Sequence, residues 1–183
     1  LSVENEHEYF ANGILVHNCR YAHMAFNNPI TIHQTTQSLN ELGINYIYPR
    51  DILIQKKREF DYPFYYETDT HWNKAGAYIA FLEFKKKLES YYPEKIFPNV
   101  EYDISVDYSM AWGDLLPMLG VKEAKSTNVK FTLRNYSLEE LYKYEKNDGQ
   151  NGVHTIGTNS ELPRALIYRD SFFNALEPFV SPL

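Results

Sequence analysis

"RALIYRDSFFNALEPF", residues 164–179, is the stretch on which the reading of the fold turns. Its first half is a compact apolar run of the kind that buried strands carry, and its second half reads as a helix. Ser171 falls at the passage from one to the other. In an open parallel sheet, the carboxyl ends of the strands are where ligands are presented. Working outward, strand and helix keep alternating. "TIHQTTQSLNEL" (31–42) followed by Gly43 reads as a helix and its stop. "INYIY" (44–48) is a short apolar strand ended by Pro49, and "FYYETDTHW" (64–72) is a strand running into a turn. From Asn73 a capped helix follows, with Tyr78, Phe81, Leu82 and Leu88 on one face. Lys85, Lys86 and Lys87 lie toward its C-terminal end, where they suit the helix dipole. "MAWGDLLPMLG" (110–120) suggests a short helix broken near Pro117. Residues 122–157 are mixed and polar, with "KNDGQNG" (146–152) an exposed loop. This alternation predicts an α/β sandwich around a mainly parallel sheet.

Composition bounds the function. With 183 residues the chain is long enough for one domain with a real core. Charged residues at 23% and hydrophobic residues at 44% are ordinary for a globular protein. The net charge of -6 and the lack of a basic stripe argue against nucleic-acid binding. No apolar run approaches the roughly 18 residues of a membrane helix. The 16 tyrosines suit either sugar-binding surfaces or core filling, and the sequence leaves both open. A single cysteine excludes an internal disulfide. The chain opens at Leu1 with no initiator Met and no signal peptide, and it is read as a piece of a longer reading frame.

Two residue constellations carry chemistry. In "YYETDTHWNKAGAY" (65–78), Asp69 and His71 are two positions apart, so extended backbone projects both to one side. One carboxylate can then orient the imidazole while its other nitrogen works as a base. Taken alone, the pair reads better as a capped helix start with a satisfied histidine. A serine at a strand-to-helix turn changes that balance, because backbone N–H groups there favour a developing oxyanion. Ser171 with a base–orienter pair is a nucleophile constellation. The remaining downstream histidines, His23, His33 and His154, show no metal-ligand spacing, so neither a metal nor another cofactor is expected.

The other constellation is His17-Asn18-Cys19, near the amino terminus. Two short strands are expected around Asn12-Gly13, a hairpin turn signal. An asparagine can attack its own backbone carbonyl and cleave the chain, a preceding histidine can protonate the leaving group, and a following cysteine can receive an upstream acyl segment.

Three segments carry a resemblance to a known family: "YYETDTHWNKAGAY", "GDLLPMLG" (113–120) and "LIYRDSFFNALEPF" (166–179). From about Asn28 to Leu183 the chain resembles the SGNH hydrolase-like domain of the AlgX and AlgJ alginate O-acetyltransferases. The resemblance implies a three-layer α/β/α sandwich. It implies Ser171 as nucleophile, His71 as base and Asp69 as its orienter in acetyl transfer to a hydroxyl of an exported polysaccharide. Periplasmic or cell-envelope location follows from it, as do an acetyl donor and a membrane-bound O-acyltransferase as partners. Arg169-Asp170-Ser171 stands where the family name implies Gly-Asp-Ser. Arg169 is a candidate substrate contact that could bind an acidic sugar or pair with a neighbouring acid, and Trp72 is a second candidate contact. A catalytically inactive carbohydrate-binding domain and an SGNH esterase, which would use water as acceptor, are the alternatives.

"LSVENEHEYFANGILVHNC" (1–19) resembles the C-terminal end of inteins. This implies His7 and His17 as assisting histidines, Asn18 as the cyclising asparagine and Cys19 as the first residue of the downstream extein. The expected division is therefore 1–18 as intein remnant and 19–183 as a partial SGNH-like domain. The missing amino-terminal intein and extein segments would be partners. The domain is expected to be incomplete.

Overall fold

The computed structural model describes residues 8–11, 14–17, 30–134, 136–146, 153–167 and 170–183. In chain order the elements are β1 (Glu8–Ala11), β2 (Ile14–His17), α1 (Ile30–Glu41), α2 (Arg50–Lys56), α3 (Lys74–Tyr91) and β3 (Tyr102–Met110). Then follow α4 (Leu115–Met118), β4 (Lys125–Leu133), α5 (Leu138–Leu141), β5 (Tyr142–Lys146), β6 (Val153–Gly157) and α6 (Phe173–Val180).

Helix α3 is the organising element. Asn73 caps it: its side-chain oxygen accepts from the Ala75 and Gly76 amides at 2.8 and 3.1 Å, and the residue is fully buried. Small residues follow at Ala75, Gly76, Ala77 and Ala80, so other elements approach its first turns closely. Ala75 and Ile79, four apart, pack with Leu53 of α2, Phe64 and Val129 of β4. Ala77 and Phe81, on another face, pack with Phe179 of α6. Phe179 lies at the centre of an aromatic cluster, its ring 5.2 Å from both Tyr78 and Tyr102 and 5.5 Å from Phe131. Tilted and edge-on contacts of this kind suit the ring quadrupoles and bury large areas. Leu82 departs from the predicted face and is exposed. One residue beyond Phe81, it is rotated about 100° away from the cluster.

The helix stop at Gly43 has a clear local cause. Gly43 takes φ 64°, and the turn closes with Ile44 N–H donating to the Leu39 carbonyl at 2.8 Å. Near the amino terminus β1 pairs antiparallel with β2, with Ala11 opposite Ile14, and the expected turn at Asn12-Gly13 lies outside the described residues.

The chain is mixed α/β, but its sheets differ from the expected one. Among the described residues every strand pairing is antiparallel, in three two-stranded ribbons: β1–β2, β3–β4 and β5–β6. Residues 44–48 and 164–167, the predicted buried strands, are in neither a ladder nor a helix. Leu166 is 82% exposed, and Ile44, Ile47 and Ile167 are exposed as well. The expectation of a mainly parallel sheet is therefore corrected. An apolar run marks a segment fit to be a buried strand, yet pairing needs a neighbour at the right spacing, and no described segment stands there. The β3–β4 ribbon runs instead through part of the stretch read as mixed and polar, in register from Tyr102↔Leu133 to Met110↔Lys125.

Candidate active site

The loop from Phe64 to Asn73 is pinned at its base. Asn73 N–H donates to the Phe64 carbonyl at 3.0 Å, Tyr66 N–H donates to the His71 carbonyl at 3.3 Å, and Tyr65 and Trp72 form an isolated bridge. The loop tip, Glu67 to Thr70, is thereby narrowed, with Asp69 and His71 on one side.

Asp69 is 9% exposed, and its carboxylate accepts several hydrogen bonds. Oδ1 takes the His71 backbone amide at 2.9 Å and His71 Nδ1 at 2.5 Å. Oδ2 takes the Asp114 amide at 3.1 Å. Burial alone would raise the Asp69 pKa; the hydrogen bonds from His71 and Asp114 outweigh it and hold the carboxyl below its ordinary value. An ionised carboxylate only accepts, so the shared hydrogen belongs to Nδ1. In neutral His71 this leaves Nε2 as an acceptor. Nε2 faces Ser171 Oγ at 2.6 Å, and the hydroxyl donates.

Ser171 reaches this position from the other end of the chain. It sits in the turn before α6, and α6 is locked onto α3 by Phe179, so the amino-terminal ends of the two helices lie together. Trp72 ties them: its indole N–H donates to the Phe172 carbonyl at 2.7 Å, and its ring meets Phe172 edge-on at 5.8 Å. Phe172 also lies against His71, with ring centroids 4.8 Å apart.

The structure thus brings Asp69, His71 and Ser171 into one hydrogen-bonded line. Trp72, the second candidate contact, is half-buried: its indole N–H is bonded to Phe172 and its ring packs against the Phe179 cluster. The expected oxyanion donors also differ. Phe172 N–H donates to Asp170 Oδ1, Phe173 N–H to the Asp170 carbonyl and Asn174 N–H to the Ser171 carbonyl, so the amides following Ser171 are spent in closing the turn. Arg169, His7, Asn18 and Cys19 lie outside the described residues, and His17 ends β2 opposite Glu8.

Sequence reasoning missed the turn at Trp112, Gly113 and Asp114. Gly113 takes φ 156°, and a Cβ there would stand 2.0 Å from the Thr68 carbonyl oxygen, so the approach requires glycine. That Gly-Asp step in "GDLLPMLG" was the available signal. Trp112, 59% exposed, stacks tilted on Tyr66 with ring centroids 4.8 Å apart, and it is the open indole of this region. Asp69, His71 and Asp114 offer ligand atoms within 4.8 Å of one another. A cation there would have to displace the hydrogen bonds that these atoms already make.

The family model described as "SGNH hydrolase-like domain, acetyltransferase AlgX" matches residues 17–153, which include Asp69, His71 and Asp114 and stop short of Ser171. No curated protein matches the chain. Among solved structures, the O-acetyltransferase domain of Pseudomonas putida AlgJ is similar at 18% identity with a TM-score of 0.44, over 60% of this chain and 41% of that one. This chain therefore spans well under half of the solved structure it matches. With more than half of its length matched by the model, the chain belongs to the family of AlgX-type SGNH hydrolase-like acetyltransferase domains.

Proposed function

We propose that the domain is an O-acetyltransferase acting by double displacement on a polysaccharide, with Ser171, His71 and Asp69 as its catalytic groups. The observation that carries the reading is the 2.6 Å contact between His71 Nε2 and Ser171 Oγ, with Asp69 behind Nδ1 at 2.5 Å. Ser171 Oγ attacks the acetyl carbonyl of the donor as its proton passes to Nε2. The tetrahedral intermediate collapses, the donor's leaving oxygen takes that proton, and acetyl-serine remains. A sugar hydroxyl then gives its proton to Nε2 and attacks the acetyl-serine, and Ser171 recovers the proton as the ester moves to the sugar. Asp69 steadies the imidazolium at both stages.

The donor, a membrane-bound O-acyltransferase as its source, and a place in the cell envelope belong to the same proposal. So does the three-layer sandwich, supported by the match to an SGNH hydrolase-like family model. Among the described residues no helix is long and apolar enough to cross a membrane. The test is the purified chain with an activated acetyl ester and oligosaccharides, followed by NMR. Acetylated sugar in excess of free acetate is expected. Free acetate alone would make the domain an esterase.

A second reading concerns residues 1–18, proposed as an intein remnant. It rests on the resemblance of "LSVENEHEYFANGILVHNC" to the C-terminal end of inteins, with His17, Asn18 and Cys19 in succession. For these 183 residues taken by themselves, the Asn18–Cys19 bond is expected to persist for hours at neutral pH. Rapid release of the first 18 residues, seen by mass spectrometry, would contradict that.

A further inference from the structure

We propose that the Trp112–Asp114 turn is a positioning element for the catalytic base, with Asp114 acting on His71 through Asp69 and Thr70; this rests on the acetyl-transfer reading above. The turn clasps the loop tip from both sides. Asp114 Oδ1 accepts the Thr70 amide at 2.9 Å and Oδ2 accepts the Thr70 hydroxyl at 2.5 Å. In return the Asp114 amide donates to Asp69 Oδ2 at 3.1 Å. Thr68 hydroxyl donates to the Trp112 carbonyl at 2.9 Å, and Leu115 N–H donates to the Thr68 carbonyl at 3.2 Å. Thr68, Asp69 and Thr70, three successive residues, are therefore each bonded to the turn.

The consequence is geometric. His71 holds only Oδ1 of Asp69, and a carboxylate gripped at one oxygen can still rotate about its Cβ–Cγ bond. The Asp114 amide on Oδ2 stops that rotation, and the Thr70 bonds fix the peptide that links Asp69 to His71. Gly113 is what lets the turn come this close. The sequence separation of 44 residues between Thr70 and Asp114 means that this support is tertiary, outside the reach of the local Asp-x-His geometry.

Asp114→Ala removes both bonds to Thr70. Asp114→Asn keeps the shape, an acceptor for the Thr70 amide, and an amide nitrogen from which the Thr70 hydroxyl can accept. The full chain is assayed for turnover of an activated acetyl ester. In parallel, the far-downfield proton resonance of the His71 Nδ1–H bonded to Asp69 is followed by NMR. Loss of positioning on the ångström scale costs about 10²-fold in rate. Asp114→Ala is therefore expected to lower kcat by about 10²-fold with KM little changed, and to broaden or lose the resonance. Asp114→Asn is expected to restore the resonance and most of the rate.

If Asp114→Ala melts earlier but keeps both resonance and rate, Asp114 only staples two loops and the proposal falls. If that variant does not fold, Thr70→Val decides, since it removes the hydroxyl bond alone. A smaller loss of rate with a broadened resonance supports the clasp, and no change in either overturns it. A wild-type chain without acetyl transfer whose resonance still depends on Asp114 would sink the function proposed above and leave the clasp standing.

Discussion

Asp69 is nearly buried, accepts from His71 and Asp114, and sits in a loop tied at its base and clasped at its tip. Ser171 is exposed and follows residues 164–167, which join no ladder; its position comes from α6 packing on α3 and from the bond of Trp72 to Phe172. The two regions meet at the contact between His71 Nε2 and Ser171 Oγ. The base side is held by a dense local network, and the nucleophile side is delivered by a helix. The bonds of the network bear on the orientation of the base, and the braces on the nucleophile side bear on where the helix sets Ser171.

The largest effect tests the contact. Ser171→Ala and His71→Ala should each cost on the order of 10⁶ in acetyl-transfer rate, and the double variant little more, because the groups act as a unit. Additive losses in the kinetics would separate the two regions. Asp69→Asn should cost on the order of 10⁴, as the same change does in serine-protease triads, since it keeps size but loses the charge that selects the tautomer. Retention of most activity by Asp69→Asn, beside an inactive His71→Ala, would reduce Asp69 to a turn residue and leave a dyad.

Trp72→Phe sharpens the comparison from the nucleophile side. It leaves the Phe172 carbonyl without its donor, which costs about 1–3 kcal/mol when the group is buried. A lower melting temperature and a loss of about tenfold in rate are expected, with the downfield His71 proton unmoved because the base side is separately held. A shift of that proton would mean that the two regions are one unit.

The smallest effect is the pH dependence of stability. The folded-state pKa of Asp69 is depressed, by hydrogen bonds from His71 and Asp114 that overcome burial. Its contribution is therefore fully present above the unfolded carboxylate value and is lost as pH falls through the folded one. Denaturant melts from neutral to acid should show wild type losing its advantage over Asp69→Asn only on the acid side. A constant difference across that range would contradict the assignment.

The base side was more legible in the sequence than the nucleophile side. The cap at Asn73, helix α3 and the Asp-x-His spacing are local features, set by residues within a few positions of one another. Helix α2 was hidden because Pro49 serves both to end an extended run and to open a helix. Ribbon β3 was readable: Ile104, Val106, Tyr108 and Met110 alternate with Asp103, Ser105, Asp107 and Ser109, a period of two. Its apolar side chains nevertheless remain exposed, which no alternation foretells. Asp114 could not be found by charge, because an acid in a turn looks like any solvated acid until the partner loop is placed against it.

The central claim, that Ser171 is the residue that carries the acyl group, is tested most directly by mass spectrometry of the intact chain after brief exposure to an activated acetyl ester. One acetyl group per chain, located on Ser171 by fragmentation and absent from Ser171→Ala and His71→Ala, is the predicted result. An adduct that persists in Ser171→Ala, or a chain that turns the ester over while no acetyl-serine forms at position 171, would contradict it.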